Sequence, residues 1–304
     1  MSSADAARAG IPIALTADAY PPTGRIVSAG ETRIHVHEEG PANGPAVVLI
    51  HGASGNSRDF SFDLTGRLAG AYRVLAVDRP GHGHSPALHD RGESPFEQAA
   101  ALDAAMDRLG VARAVLVGHS YGGAVAMAWA LQNPERAAGV VSLGGATMPW
   151  PGGLGAWYRI ASSGVGGATV VPLISAFAGP GVAERSVDAV FVPQAPPPGY
   201  ANYVGVGLAL RASSLRTNAK QVNALKPHVT AMAQRYSALR LPVEIVHGSE
   251  DETVPVRIHG ARMVELIPNA RLTVLDGVGH MPHHADPEAT VAAIDRVAKR
   301  AGLR

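Results

Sequence analysis

The run AVLVGHSYGGAVAMAWAL, from Ala114 to Leu131, decides the fold. Its first four residues are aliphatic and suit a short strand buried on both faces, and Ala124 to Leu131 reads as a helix. Gly118-His119-Ser120-Tyr121-Gly122 stands between them as a G-x-S-x-G. A turn this abrupt needs small residues two before and two after the serine, and it projects the hydroxyl from a strained backbone at the helix N-terminus. The bland alternative is a glycine turn carrying a solvated serine. A strand before and a helix after favour a nucleophile.

Similar aliphatic runs recur on either side: Arg25 to Ser28, Thr32 to Glu38, Val47 to Ile50, Val74 to Val77, Gly139 to Leu143, Val243 to His247 and Arg271 to Leu275. From Val47 onward their continuous apolar character predicts strands of a parallel sheet covered on both faces, whereas Thr32 to Glu38 alternates as a half-exposed antiparallel strand would. Helical patterns intervene at Pro95 to Leu109, with Ser94 as N-cap and Gly110 as stop, and at Val256 to Ile267 and Pro287 to Lys299. The expectation is an α/β fold: a mostly parallel eight-stranded sheet flanked by helices.

The alternation breaks once. Between Pro149 and Leu239 no buried strand occurs, which predicts an inserted, mostly helical cap after strand six. The division expected is an N-terminal extension (1–24), a core in two parts (25–148 and 240–304) and a cap (149–239). From Ala137 to Leu210 the only charged residues are Arg159, Glu184, Arg185 and Asp188, in a chain that is 17% charged overall.

A serine hydroxyl needs a base to take its proton and a carboxylate to orient that base. Thirteen histidines compete. His280 falls on the loop after the last strand, at the carboxyl edge where active sites of open α/β sheets lie. Asp251 follows the strand Val243 to His247 and reaches the same edge; the order Ser120, Asp251, His280 is nucleophile, acid, base. Asp276 and Asp286 lie too near His280 in sequence to come from a neighbouring strand, and Glu250 would need the loop turned by one residue.

The 304 residues contain no cysteine, so thiolate catalysis, thiolate zinc sites and disulfides are excluded. Lys+Arg 26 against Asp+Glu 25 gives a net charge of +1 and no basic field for nucleic acid. No apolar stretch long enough to span a membrane occurs without Gly or Pro, and no signal-peptide pattern opens the chain; the expectation is a soluble, cytoplasmic protein. His280, His283 and His284 lack the helical spacing of a zinc motif, so no metal is expected, and His283 and His284 read as polar surface groups or as support for the site. His82 and His84 read as turn-shaping residues. Gly164 to Gly167 follows no strand and none of the lysines follows a glycine, so no nucleotide cofactor is implied.

Four motifs in order resemble the α/β-hydrolase superfamily over about residues 25 to 300: His51-Gly52-Ala53-Ser54, Asp78-Arg79-Pro80-Gly81-His82-Gly83-His84-Ser85, the GHSYG turn, and the acid and histidine loops. The resemblance implies an oxyanion hole from the backbone N–H groups of Ala53 and Tyr121 and places the insertion where the family carries its cap. Haloalkane dehalogenases and epoxide hydrolases of this fold use an Asp at the turn; Ser120 implies acyl transfer instead. The resemblance therefore implies a carboxylic ester hydrolase, and the nearly uncharged cap points to neutral, hydrophobic small molecules. A lactonase, a carbon-carbon bond hydrolase, a perhydrolase and a slow receptor-like hydrolase that binds a small ligand under the cap are the alternatives. Candidate substrate contacts are Ser54, which also suits a plain turn, and Trp150, Trp157, Tyr158 and Tyr203, which equally suit packing of the cap. The partner expected is a small-molecule ester substrate, with no nucleic acid.

Overall fold

The computed structural model describes residues 15–304 apart from 154, 155 and 178. The aliphatic runs become β1 (Arg25–Ala29), β2 (Thr32–Glu39), β3 (Ala46–Ile50), β4 (Arg73–Val77), β5 (Ala114–His119), β6 (Ala137–Leu143), β7 (Val243–Gly248) and β8 (Ala270–Leu275). They form one sheet in the order β1-β2-β4-β3-β5-β6-β7-β8. β2 runs antiparallel to both its neighbours, and every other adjacent pair is parallel.

The pleat sorts the apolar residues into two cores. Val48, Ile50, Leu75, Val77 and Leu116 face one side, beneath α3 (Pro95–Arg108) and α4 (Tyr121–Gln132). Val47, Leu49, Val74, Val115 and Val117 face the other, against α2 (Leu64–Leu68) and α13 (Pro287–Arg300). Alternate residues of each strand thus bury on opposite faces, which is why the strands read as unbroken aliphatic runs. Ser94 and Glu97 cap α3 reciprocally, Ser94 Oγ accepting from the Glu97 N–H and Glu97 from the Ser94 N–H.

Between β6 and β7 lies the helical insertion: α5 (Ala156–Ser162), α6 (Gly164–Phe177), α7 (Pro180–Phe191), α8 (Tyr200–Tyr203), α9 (Val206–Leu210) and α10 (Ala212–Ala233). Short helices α1 (Arg58–Ser61), α11 (Gly260–Leu266) and α12 (Pro282–Ala285) complete the set. The first fourteen residues of the expected N-terminal extension lie outside the described residues. Its described part docks on the insertion: Tyr20 is buried, and the Leu15–Thr16 backbone lies so close to Gly207 that a Cβ there would sit 2.8 Å from it. No helix among the described residues is long and apolar enough to cross a membrane.

Three expectations need adjustment. The outward-facing His35 of β2 is buried rather than half-exposed, because its Nδ1 lies 2.8 Å from the buried Asp78 carboxylate. β8 is not covered on both faces; as the sheet's edge strand it is only partly buried. The helix expected over 256–267 begins only at Gly260, since the preceding residues form a turn in which the Ile258 and His259 N–H groups donate to the Pro255 carbonyl.

Candidate active site

Parallel register brings the carboxyl ends of β3, β5, β6, β7 and β8 to one edge, with Ile50 opposite Gly118 and Gly248 opposite Leu275. At that edge β5 turns directly into α4 through Ser120, whose φ is 51° and ψ is −117°. Among the described residues only Ser120 and Ser54 take a positive φ without being glycine. Such a backbone costs about 1–3 kcal/mol and persists only where the surroundings impose it. Here they do. A Cβ on Gly118 would lie 2.2 Å from the Gly122 carbonyl oxygen, and one on Gly122 would lie 2.1 Å from that of Ile50. Both flanking positions must therefore be glycine.

Ser120 Oγ lies 3.0 Å from His280 Nε2, and His280 Nδ1 lies 2.8 Å from Asp251 Oδ2. A carboxylate only accepts, so Nδ1 carries the proton and Nε2 presents its lone pair to the serine hydroxyl. The other oxygen of Asp251 accepts the Val254 N–H at 2.8 Å. Burial pushes the Asp251 carboxyl up, but hydrogen bonds from His247 and His280 outweigh it and hold the group well below its ordinary value. The structure thus brings Ser120, His280 and Asp251 together in one chain of contacts. Asp286 instead caps α13 by accepting the Ala289 N–H.

The loop His51-Gly52-Ala53-Ser54 lies across from the serine: a Cβ on Gly52 would approach Ser120 Cβ to 3.0 Å. Buried Arg79 holds this loop from behind, donating to the carbonyls of His51 (2.9 Å) and Gly52 (2.8 Å) while its guanidinium carbon sits 4.6 Å from the Tyr121 ring centroid. With those carbonyls turned inward, the Ala53 and Tyr121 N–H groups are left without a hydrogen-bond partner among the described residues. Ser54 takes a left-handed turn, its N–H donating to Asn218 Oδ1 of α10 at 2.8 Å. His82 serves the same junction, with Nε2 3.3 Å from Asn218.

Two cavities meet at Ser120 and share Ala53, Tyr158 and Thr253 in their walls. One, of about 380 Å³, runs under the insertion past Val187, Val204, Val206 and Leu210. The other, of about 400 Å³, is walled by Trp150, Val222, Leu225 and Ile258. Among the described lining residues neither has an arginine or lysine. A larger cavity of about 460 Å³, between the Gly81–Ala87 segment and the start of α10, contains no residue of the serine site.

Of the candidate substrate contacts, Ser54, Trp150 and Tyr158 line these cavities. Tyr203 does not: it donates to the Ser61 carbonyl at 2.9 Å and meets the Phe62 ring edge-on, fastening α8 to α1. The side chain of Trp157 lies outside the described residues.

Sequence reading missed Asp59. It is buried, lines the cavity wall, and accepts from Tyr200 Oη at 2.7 Å and His284 Nε2 at 2.8 Å, with His283 Nε2 at 3.3 Å. His283 and His284 are therefore interior groups, not surface ones. Burial raises the Asp59 carboxyl, but His283 and His284 overcome that and keep it well below its usual range. His119 beside it is driven well below its ordinary value by burial and by His283 and His280. Asp59 has no spacing signal, since it sits in a short helix that the sequence pattern does not mark.

Residues 45–287 match the family described as alpha/beta hydrolase fold. A 2-hydroxy-6-oxononadienedioate/2-hydroxy-6-oxononatrienedioate hydrolase of Burkholderia vietnamiensis is 30% identical over 262 residues, covering 82% of this chain and 85% of its own. Among solved structures, an esterase from Rhodococcus sp. ECU1013 is 26% identical with a TM-score of 0.70, the match covering 93% of this chain and all of that one. A 2-hydroxy-6-oxo-6-phenylhexa-2,4-dienoate hydrolase from Rhodococcus sp. strain RHA1 superposes with a TM-score of 0.75 at 20% identity, over 90% of this chain and 96% of that one.

Proposed function

The chain belongs to the alpha/beta hydrolase fold family, and from the site it carries on that fold we propose that it is a serine hydrolase of carboxylic esters of neutral, hydrophobic small molecules. The observation that carries this reading is the contact chain Ser120–His280–Asp251 at the junction of two cavities walled largely by apolar side chains. Ser120 Oγ attacks the ester carbonyl while His280 Nε2 takes its proton, and Asp251 steadies the imidazolium. The carbonyl oxygen becomes an oxyanion held by the Ala53 and Tyr121 N–H groups, donors typically worth about 3–4 kcal/mol each. Collapse expels the alcohol oxygen, which takes the proton from His280 and leaves an acyl-serine. Water, deprotonated by His280, then releases the acid.

The relatives named for dienedioate cleavage make carbon-carbon hydrolysis the second reading. Such a substrate carries two carboxylates, and burying an anion needs a cation or several donors. The described residues of the cavity walls include no arginine or lysine and do include Asp59, which supports the neutral ester. We take residues 149–239 as the cap, 1–24 as the extension, and 25–148 with 240–304 as the catalytic body.

A fluorophosphonate probe should add its mass to the peptide containing Ser120, and a panel should show turnover of neutral aryl and alkyl esters above charged esters, lactones and dienoates. Labelling elsewhere, or best turnover of a dicarboxylate, overturns the assignment.

A further inference from the structure

Next to the serine site lies a second buried cluster that hydrolysis leaves unused. His119 Nε2 is 2.9 Å from the backbone carbonyl of His280. A carbonyl can only accept, so Nε2 carries the proton and Nδ1 of the neutral ring carries a lone pair. That Nδ1 is buried without a hydrogen-bond partner and faces Asp59 Oδ2 across 3.9 Å. Two acceptors thus face each other across a gap too wide for a hydrogen bond. His283 Nε2 lies 3.3 Å from the same oxygen; a carboxylate only accepts, so Nε2 carries the proton there, and the buried Nδ1, which has no partner, is left able to take that proton in its place.

We propose that Asp59 Oδ2, His119 Nδ1 and His283 Nε2 form a binding site for a divalent transition metal, zinc in the first instance. A tetrahedral zinc with bonds of about 2.0–2.2 Å places neighbouring donor atoms roughly 3.3 Å apart. Two of the edges here are 3.3 and 3.9 Å, and all three donor atoms lie within 4.8 Å of one another. Closing the site requires movements of only about 1 Å. Two imidazoles and one carboxylate, with no thiolate, suit zinc better than magnesium or calcium.

The surroundings match what such ligands need. His119 is oriented through its other nitrogen by the His280 carbonyl, and Asp59 has its second oxygen occupied by Tyr200 and His284. Outer hydrogen bonds of this kind fix ring orientation and tautomer at metal sites. Asp59 and His119 both line the cavity that holds Ser120, so the position a three-ligand site leaves open faces that cavity.

The inference does not depend on the ester reading and is tested apart from it. The full chain, dialysed against EDTA, is titrated calorimetrically with zinc chloride alone. Wild type and Ser120→Ala should each bind one zinc, and Asp59→Asn and His283→Gln should each weaken binding by 100-fold or more. Cobalt(II) loaded into wild type should give the intense visible bands of a tetrahedral site, a readout that stands even where a variant fails to fold. No zinc uptake by wild type, uptake unchanged in both variants, or a cobalt spectrum without those bands overturns the proposal.

Discussion

Two buried carboxylates sit at the same edge of the sheet, each among histidines, and they differ in how completely they are satisfied. Asp251 has one oxygen on the Val254 N–H and the other on His280, whose far nitrogen reaches Ser120. Asp59 has one oxygen crowded by Tyr200 and His284, and the other, besides a 3.3 Å contact from His283 Nε2, faces an unprotonated nitrogen across 3.9 Å. A chain in which each donor meets an acceptor can pass one proton and return it. A cluster with a surplus of lone pairs is instead built to receive a cation.

Serine removal should separate the two most sharply. Ser120→Ala should lower ester turnover by about 10⁶-fold, the cost of losing a nucleophile that works with its base as a unit, while leaving the melting temperature and zinc binding in place. Undiminished turnover would break the reading of the first cluster.

Next in size, Asp251→Asn should cost about 10⁴-fold, because the amide favours the wrong tautomer of His280. Asp59→Asn, assayed without metal, should cost about tenfold, as expected when a partner's placement shifts but the proton path survives. Steady-state rates at one pH measure both. Equal losses would mean that the second carboxylate belongs to the chemistry.

The same contrast marks what sequence could reveal. The sheet and its inserted helices were legible because burial on both faces forces unbroken aliphatic strands, and β8 departed from that reading because an edge strand lacks one neighbour. Ser120 was legible because the close approaches at Gly118 and Gly122 leave room only for glycine, a constraint that imprints a local pattern. Asp251 and His280 followed from their places after β7 and β8. Asp59 left no such trace: its partners, His119, Tyr200, His283 and His284, come from three distant segments and meet only through tertiary packing. Tyr203 shows the converse. A tyrosine in a weakly charged insertion reads as a substrate contact, yet its hydroxyl is held by Ser61, away from the cavity linings.

A smaller effect concerns the cavity walls that the two clusters share. Tyr158 touches both cavities, so Tyr158→Ala should raise KM for a bulky aryl ester by about tenfold with kcat nearly unchanged, consistent with about 1.5 kcal/mol of apolar contact common to ground and transition states. Acetate esters, too small to reach the ring, should be nearly indifferent. A loss confined to kcat would instead place Tyr158 against the reacting atoms.

The subtlest prediction uses pH. His119 is held neutral in the folded protein by burial and by its neighbours His283 and His280, so its folded pKa lies well below the unfolded value near 6.5. Below about pH 6.5 the unfolded chain therefore binds a proton that the folded one refuses, and stability falls as pH drops toward the folded pKa. His259, lowered to about 4 chiefly by burial, adds to the same slope. His119→Gln should remove one proton's share, about 1.4 kcal/mol per pH unit between pH 4.5 and 6, read from urea unfolding across that range. The glutamine amide N–H reaches where Nε2 stood and can still donate to the His280 carbonyl, which separates the titration from the loss of that hydrogen bond. An unchanged slope would mean that His119 is already protonated in the fold, and the lone pair that sets the two clusters apart would be gone.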